Sequence, residues 1–306
     1  MRLGDAALFE RAHYEAHRGV APPHLTELVV HCLELVALLA RSGLEFRFKG
    51  GNSQLILLES PARFSIDVDI VTTVDKAELT RVVEQIVAES ASFTRCQVRP
   101  HRTKPWLPIL SFKIFFDSIY PDVHGEEAPC VLLDAVLEPA PYGGVRKRVT
   151  SGALYDAPYE VELPSVGGLL ADKMLCISPA TVGIPLGKGK DAHRLKHVFD
   201  VANLSRHEPD IDEVRDALVA CLAQENNIQK SQWTFDQVAD DTVDFCEQVL
   251  AHEERPPLES VDPASYLFEI VRGFPEVNAF FFREDYDWPQ LRRDCAAVIA
   301  AVQAAR

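Results

Sequence analysis

The chain is short of positive charge: 31 lysines and arginines stand against 46 aspartates and glutamates, a formal net charge of −15 over 306 residues. So acidic a polypeptide excludes a general nucleic-acid binder, and contact with RNA or a polyphosphate requires a local basic face. Metal-binding or disulfide spacing of cysteine is also missing. The seven cysteines, at 32, 96, 130, 176, 221, 246 and 295, are scattered and form no C-x-x-C pair, which predicts reduced core thiols. The N-terminal MRLGDAALFERAH carries acids early and has no long apolar run, so no signal peptide is expected. No uncharged stretch of membrane-spanning length is expected either, and the expected place is the cytoplasm. What is present is ordinary globular material, 47% apolar and 25% charged, long enough for two cored domains.

The most informative stretch runs from Phe46 to Ile70, FRFKGGNSQLILLESPARFSIDVDI. Leu44, Phe46 and Phe48 alternate with Glu45, Arg47 and Lys49, a half-buried strand. Gly50 and Gly51 then allow a sharp turn and a close backbone approach, and Leu55 to Leu58 suit a short helix. The backbone N–H groups of such a strand-to-helix turn can hold a phosphate. Downstream, Phe64, Ile66, Val68 and Ile70 alternate with Ser65, Asp67 and Asp69, so in a strand both carboxylates point to one face. Like charges that close need neutralising, and hard divalent cations do this. A phosphate cradle beside paired carboxylates is apparatus for phosphoryl or nucleotidyl transfer.

KGGNS followed by RFSIDVDI resembles the first motif of the AbiEii/AbiGii toxin family, similar to the MenT toxins and part of the DNA polymerase beta-like nucleotidyltransferase superfamily. The resemblance assigns Gly50, Gly51, Asn52, Ser53, Arg63 and Ser65 to nucleotide binding, and Asp67 and Asp69 to metal binding and catalysis. It implies an NTP substrate, Mg²⁺ or Mn²⁺ as cofactor, tRNA as acceptor and a cognate antitoxin as partner.

Elsewhere, His24 to Ser42 has helical spacing with Gly43 as its stop, and Asp75 with Glu78 marks the start of a second helix. Phe93 to Arg99, Ile109 to Phe116 and Cys130 to Leu137 read as strands. Asp134 lies inside the last of them. A lone acid there needs a partner, either a metal or the backbone, and the resemblance implies the metal. Two basic segments, Arg95 to Lys104 and Arg146 to Arg148, read as loops able to face phosphate.

From about Leu163 the patterns become helical. A boundary is expected near residues 150–162, giving a transferase domain over 1–160 and a helical domain over 161–306. Ser165 is an N-cap candidate, and Lys173 sits in an apolar stripe, where it either snorkels to water or meets an anion. The resemblance favours the anion and implies an active-site role for Lys173. It likewise assigns Asp200, while His197 stands where an acid is expected. His193, Lys196 and His197 suit phosphate better than a metal. The glycine- and proline-rich Pro179 to Lys190 is expected to be a mobile flap. The expected fold is α+β, with an α/β core: a mixed-sheet polymerase beta-like domain followed by a helical domain. The leading function is a Mg²⁺-dependent nucleotidyltransferase toxin; the alternatives are a catalytically degenerate nucleotide- or antitoxin-binding regulator and a small-molecule nucleotidyltransferase.

Overall fold

Alternating apolar and polar residues build one mixed sheet from β1 (Arg47–Lys49), β2 (Asp67–Val71), β3 (Arg95–Arg99), β4 (Ile109–Phe115), β5 (Cys130–Val136), β6 (Gly144–Ser151) and β7 (Tyr155–Pro164). The strand order is β3-β4-β5-β2-β1-β7-β6. β2 runs parallel to β5 and β1 parallel to β7; the other pairs are antiparallel. The computed structural model describes residues 1–58, 62–99, 106–123, 128–282 and 286–306. The chain separates into two units. Unit 1 comprises Met1–Ala140, Gly144–Pro164 and a short stretch beginning at Phe280; unit 2 comprises Pro141–Gly143, Ser165–Ala279 and the residues up to Arg306.

In unit 1, α1 (Arg11–His17) leads into α2 (Pro23–Arg41), and α3 (Gly50–Leu57) and α4 (Lys76–Glu89) follow β1 and β2. α2 is long and apolar enough to cross a membrane by length and composition, yet it carries Glu27 and Glu34, and 83% of its apolar window is buried inside the protein. It is the core helix: Val29, Val36 and Leu39 of α2, with Phe48, Val68, Ile70, Leu133 and Leu163 of the strands, are fully or almost fully buried. α4 is capped as the sequence suggests, Asp75 accepting from the Glu78 N–H at 2.8 Å. The hairpin β6–β7 is new. Residues 150–162, expected at a boundary, form the end of β6, the turn at 152–154 and most of β7; the units divide just after it, at Pro164–Ser165, and the RKR segment lies in β6 rather than in a loop.

Two buried polar groups hold the core together. Glu34, in the middle of α2, accepts from the Leu3 N–H (2.8 Å), the Gly4 N–H (2.9 Å), the Ser92 hydroxyl (3.3 Å) and the Tyr155 hydroxyl (2.5 Å). One carboxylate thus joins the N-terminus, α2 and β7. His31, one turn earlier, stacks on Phe116 (3.9 Å between centroids), and its Nδ1–H donates to the Glu27 carbonyl at 2.8 Å. Burial disfavours the imidazolium and lowers its pKa from 6.5 to about 4.

Unit 2 packs α5 (Val166–Met174), α6 (Asp191–Ser205), α7 (Ile211–Gln229), α8 (Phe235–Leu250), α9 (Tyr266–Val277) and α10 (Trp288–Ala305). α10 packs on α6 and α8, α6 also on α5 and α9, and α5 on α7. Capping side chains set the starts: Ser165 for α5, Asp210 for α7, Thr234 with Gln237 for α8, Ser265 for α9 and Asp287 for α10.

Removing the Tyr155 hydroxyl (Tyr155→Phe) deletes a buried bond to a carboxylate and should cost about 1.5–3 kcal/mol in urea unfolding. Because the folded pKa of His31 lies below the unfolded one, the unfolded chain binds the extra proton. Stability should be full above pH 6.5 and fall towards pH 4, by up to about 3 kcal/mol, in a pH series of unfolding midpoints. His31→Phe should flatten that slope.

Candidate active site

β2 supplies the paired carboxylates. Val68 and Ile70 point into the core under α2, so Asp67 and Asp69 stand on the opposite face, half-buried. Registration adds neighbours on that face. Asp69 is opposite Asp134 of β5 on one side and Lys49 of β1 on the other, and Asp134 is in turn opposite Ser111 of β4. Ser111, Asp134, Asp69 and Lys49 therefore form one row across four strands, at about 4.8 Å per strand step. Asp134 is exposed, the state a carboxylate in an apolar strand reaches by facing out. Sequence reading had treated Lys49 only as the polar member of an alternation. Its pairing with Asp69 comes from the β1–β2 register, which no local pattern reveals.

The glycine pair is shaped by these side chains. Gly50 has φ +76°, and a Cβ there would lie 2.0 Å from Asp69 Oδ2 and 2.8 Å from its Cγ. A Cβ on Gly51 would lie 2.7 Å from Ser65 Oγ and 2.8 Å from an Arg63 guanidinium nitrogen. Glycine is thus required twice, for backbone conformation at Gly50 and for close approach at both. The turn is itself the first turn of α3, whose orphan N–H groups and positive end lie beside the Asp69 carboxylate. Asn52 and Ser53 are fully buried. The Ser53 hydroxyl donates to the Gly50 carbonyl at 2.8 Å, and Asn52 Nδ2 donates to the Asp67 carbonyl at 3.3 Å. Asn52 Oδ1 is buried with no hydrogen-bond partner among the described residues.

Residues 64–66, expected to open the strand, are not part of it. Arg63 makes an isolated bridge with Phe281, and the Phe64 N–H donates to the Phe280 carbonyl at 2.6 Å. The Phe64 ring lies 3.7 Å from that of Phe282. A distant part of the chain thus holds Arg63 and Ser65 against Gly51. Behind β2, the Cys32 thiol contacts the Ile66 carbonyl at 3.2 Å. Burial first, then the charges of Asp67 and Asp69, raise its pKa, so this thiol is inert.

Unit 2 brings together a second group. Lys173 on α5 is 5% exposed, and its Nζ lies 3.7 Å from Oδ2 of Asp200 on α6, which is 0% exposed. Lys173 does not snorkel to water. Lys196 is buried, and His193 and His197 are half-buried on α6. Asp191 pairs with Arg272 at 2.6 Å. Over Pro179 to Lys190, expected to be mobile or a ligand-sensing flap, side chains of unit 2 helices bond to the backbone and to Thr181. Asp241 accepts from the Ala180 N–H (2.8 Å) and the Thr181 hydroxyl (3.1 Å), Glu269 accepts from the Gly187 N–H, and Arg194 donates to the carbonyls of Ile184 (2.8 Å) and Pro185 (3.2 Å). Arg194 is itself paired with Glu269 at 2.8 Å. Glycine and proline report turn geometry here, and tertiary bonds from α6, α8 and α9 hold the loop.

Of the two basic segments, residues 100–105 lie outside the described residues. In the other, Lys147 Nζ donates to the Leu57 carbonyl at 3.0 Å and Arg148 forms a two-bond fork with Asp156. Among the described residues no three His, Cys, Asp or Glu side chains already enclose a metal position. The oxygen-only set of Asp67, Asp69 and Asp134 nevertheless suits Mg²⁺, which takes one or two carboxylates and completes its shell with water and substrate phosphate.

A family model described as the nucleotidyl transferase AbiEii toxin of a type IV toxin–antitoxin system matches residues 35–295. Comparison with curated proteins returns no match. Seven chains among solved structures match. One, the crystal structure of an antigenic nucleotidyltransferase-like protein from Paracoccidioides brasiliensis, is 15% identical with a TM-score of 0.37, the match covering 69% of this chain and 90% of that one. Since the family model matches far more than half of its length, the chain belongs to the AbiEii nucleotidyltransferase toxin family.

Proposed function

We propose that this protein transfers a nucleoside monophosphate from an NTP to an acceptor hydroxyl, the 3′ end of tRNA, as the toxin of a pair completed by an antitoxin. The observation that carries the reading is the row on the sheet face turned away from α2: Asp69 between Asp134 and Lys49, with Asp67 two residues away and Gly50 pressed under the Asp69 carboxylate. Two carboxylates on one face, beside Lys49 and the first turn of α3, offer a divalent cation and a triphosphate adjoining places.

In the reaction the acceptor oxygen bonds to the α-phosphorus, the bond from that phosphorus to the bridging oxygen breaks, pyrophosphate leaves, and the hydroxyl proton goes to water. Asp67, Asp69 and Asp134 would hold a divalent cation, which would supply charge neutralisation for the triphosphate and the leaving group. The chain's own groups orient the substrate. The N–H groups of the first turn of α3, at Gly51 to Ser53, and the guanidinium of Arg63 meet phosphate oxygens, with Ser65 beside them. Lys49 adds positive charge next to Asp69. The Ser53 hydroxyl, turned back on the Gly50 carbonyl, shapes the turn. For Lys173 and Asp200, a part in the reaction is supported by the resemblance and by their buried pairing. His197 at the position of an expected acid favours a second reading, a nucleotide-binding regulator without turnover.

Purified protein is incubated with each α-³²P-labelled NTP, Mg²⁺ and total tRNA. Wild type should label RNA with at least one NTP; Asp67→Asn and Asp69→Asn should each lower the rate about 10²–10³-fold or more, and Lys173→Ala should lower it as well. NTP binding with no labelled product would replace this reading by the regulator. Gly50→Ala places a methyl group inside the Asp69 carboxylate and an L-residue at positive φ; it should lose activity to the same degree and cost about 1–3 kcal/mol of stability.

A further inference from the structure

The strands beside the carboxylates carry no acid: β3 reads RCQVR and β4 reads ILSFKIF. Register fixes which of their side chains share the Asp69 face. Cys96 and Val98 of β3 pair with the buried Ile114 and Phe112 of β4, so Arg95, Gln97 and Arg99 lie on the other face, opposite Phe115, Lys113 and Ser111. Arg95 and Arg99 are exposed, and the Arg95 Cζ lies over the Phe115 ring, 3.4 Å from its centroid. A guanidinium held against an aromatic face keeps N–H groups with which to donate to an anion. The row Ser111–Asp134–Asp69–Lys49 therefore begins one strand earlier, at Arg99.

We propose that Arg95, Arg99 and Lys113 form a track for the phosphate backbone of a nucleic-acid acceptor strand whose terminal hydroxyl reaches the carboxylates of β5 and β2. The proposal rests on the nucleotidyl-transfer reading and names where its acceptor lies. In a chain of net charge −15, two exposed arginines on the edge strand β3, with no acid on β3 or β4, are a localised attractor for polyanions. An RNA backbone cannot lie directly on Asp134 and Asp69, so only its end enters the acidic part of the face. From Arg99 to Asp69 is three strand steps, about 14 Å, which corresponds to about four stacked nucleotides at 3.4 Å each. The face on the other side of Asp69 suits this less well, because Arg47 is already paired with Glu162 at 2.6 Å.

The test is the anisotropy of a fluorescein-labelled single-stranded RNA titrated with the full chain at several salt concentrations. Wild type is compared with the double variant Arg95→Gln/Arg99→Gln, the charge-keeping Arg95→Lys/Arg99→Lys, and Arg81→Gln on α4. Loss of two phosphate contacts should weaken binding about tenfold or more at low salt and reduce the slope of log K against log salt by about 1.4. The lysine variant should restore the slope, and Arg81→Gln should match wild type. An unchanged slope in the glutamine variant, or equally tight binding of polyglutamate, overturns the track. Label transfer is followed in parallel. RNA binding through Arg95 and Arg99 without any transfer sinks the transfer reading and leaves the track standing; transfer to RNA that is equally fast in the glutamine variant does the reverse.

Discussion

Close approach of the Asp69 carboxylate to the backbone of Gly50 is the constraint on which the candidate site depends. No side chain larger than hydrogen fits there, and the turn's positive φ independently selects glycine. With the approach made, the first turn of α3 and the carboxylates of β2 are brought side by side, although 15 residues lie between Gly51 and Asp67. Gly51 repeats the device against Ser65 and Arg63. Anion-binding and cation-binding groups that would repel or wander as free side chains are fixed by backbone packing before any substrate arrives, which is what preorganised electrostatic catalysis requires.

Charge is distributed between the faces of the sheet by the same alternation that builds its core. Apolar residues of every central strand turn towards α2, which leaves the polar partners to form the other face. Its charges change sign from strand to strand: basic on β3 and β4, acidic on β5 and β2, basic on β1, acidic at Glu162 of β7. In unit 2 the buried charges answer one another instead, Lys173 with Asp200, Arg194 with Glu269 and Asp191 with Arg272. Arg272 is 44% exposed, but the first two pairs are buried on both sides and define geometry more than they add stability, because desolvation offsets much of their attraction.

Much of unit 1 was legible because its signals are local. The 3.6-residue period of α2, the Asp75–Glu78 start of α4, the two-residue period of β2 and the run of Cys130 to Val136 can all be read within a short window. The hairpin β6–β7 was not legible. RKRVT and YDAPYEVELP mix charge, proline and apolar residues in a way that matches a linker as well as a strand, and β7 becomes a strand because β1 and β6 pair with it. The bonds to the Pro179 to Lys190 loop were not legible for a related reason: its composition describes backbone turns, whereas Asp241, Glu269 and Arg194 that hold it come from elsewhere in the sequence. Residues 64–66 lie outside the strand, and the stretch beginning at Phe280 bonds to this part of the chain instead.

By itself the sequence determined which residue types the chemistry has available: a glycine pair after a strand, two carboxylates at spacing two, and an acidic chain in which the few basic clusters stand out. Those are properties of neighbours along the chain, where steric and periodic rules act directly. Only the tertiary structure decided that Asp134 and Lys49 flank Asp69, that Arg99 and Ser111 extend the same row, and that Lys173 turns inward to Asp200. These choices depend on strand register and helix packing, and a shift of one residue in register would have sent every one of the strand side chains to the opposite face.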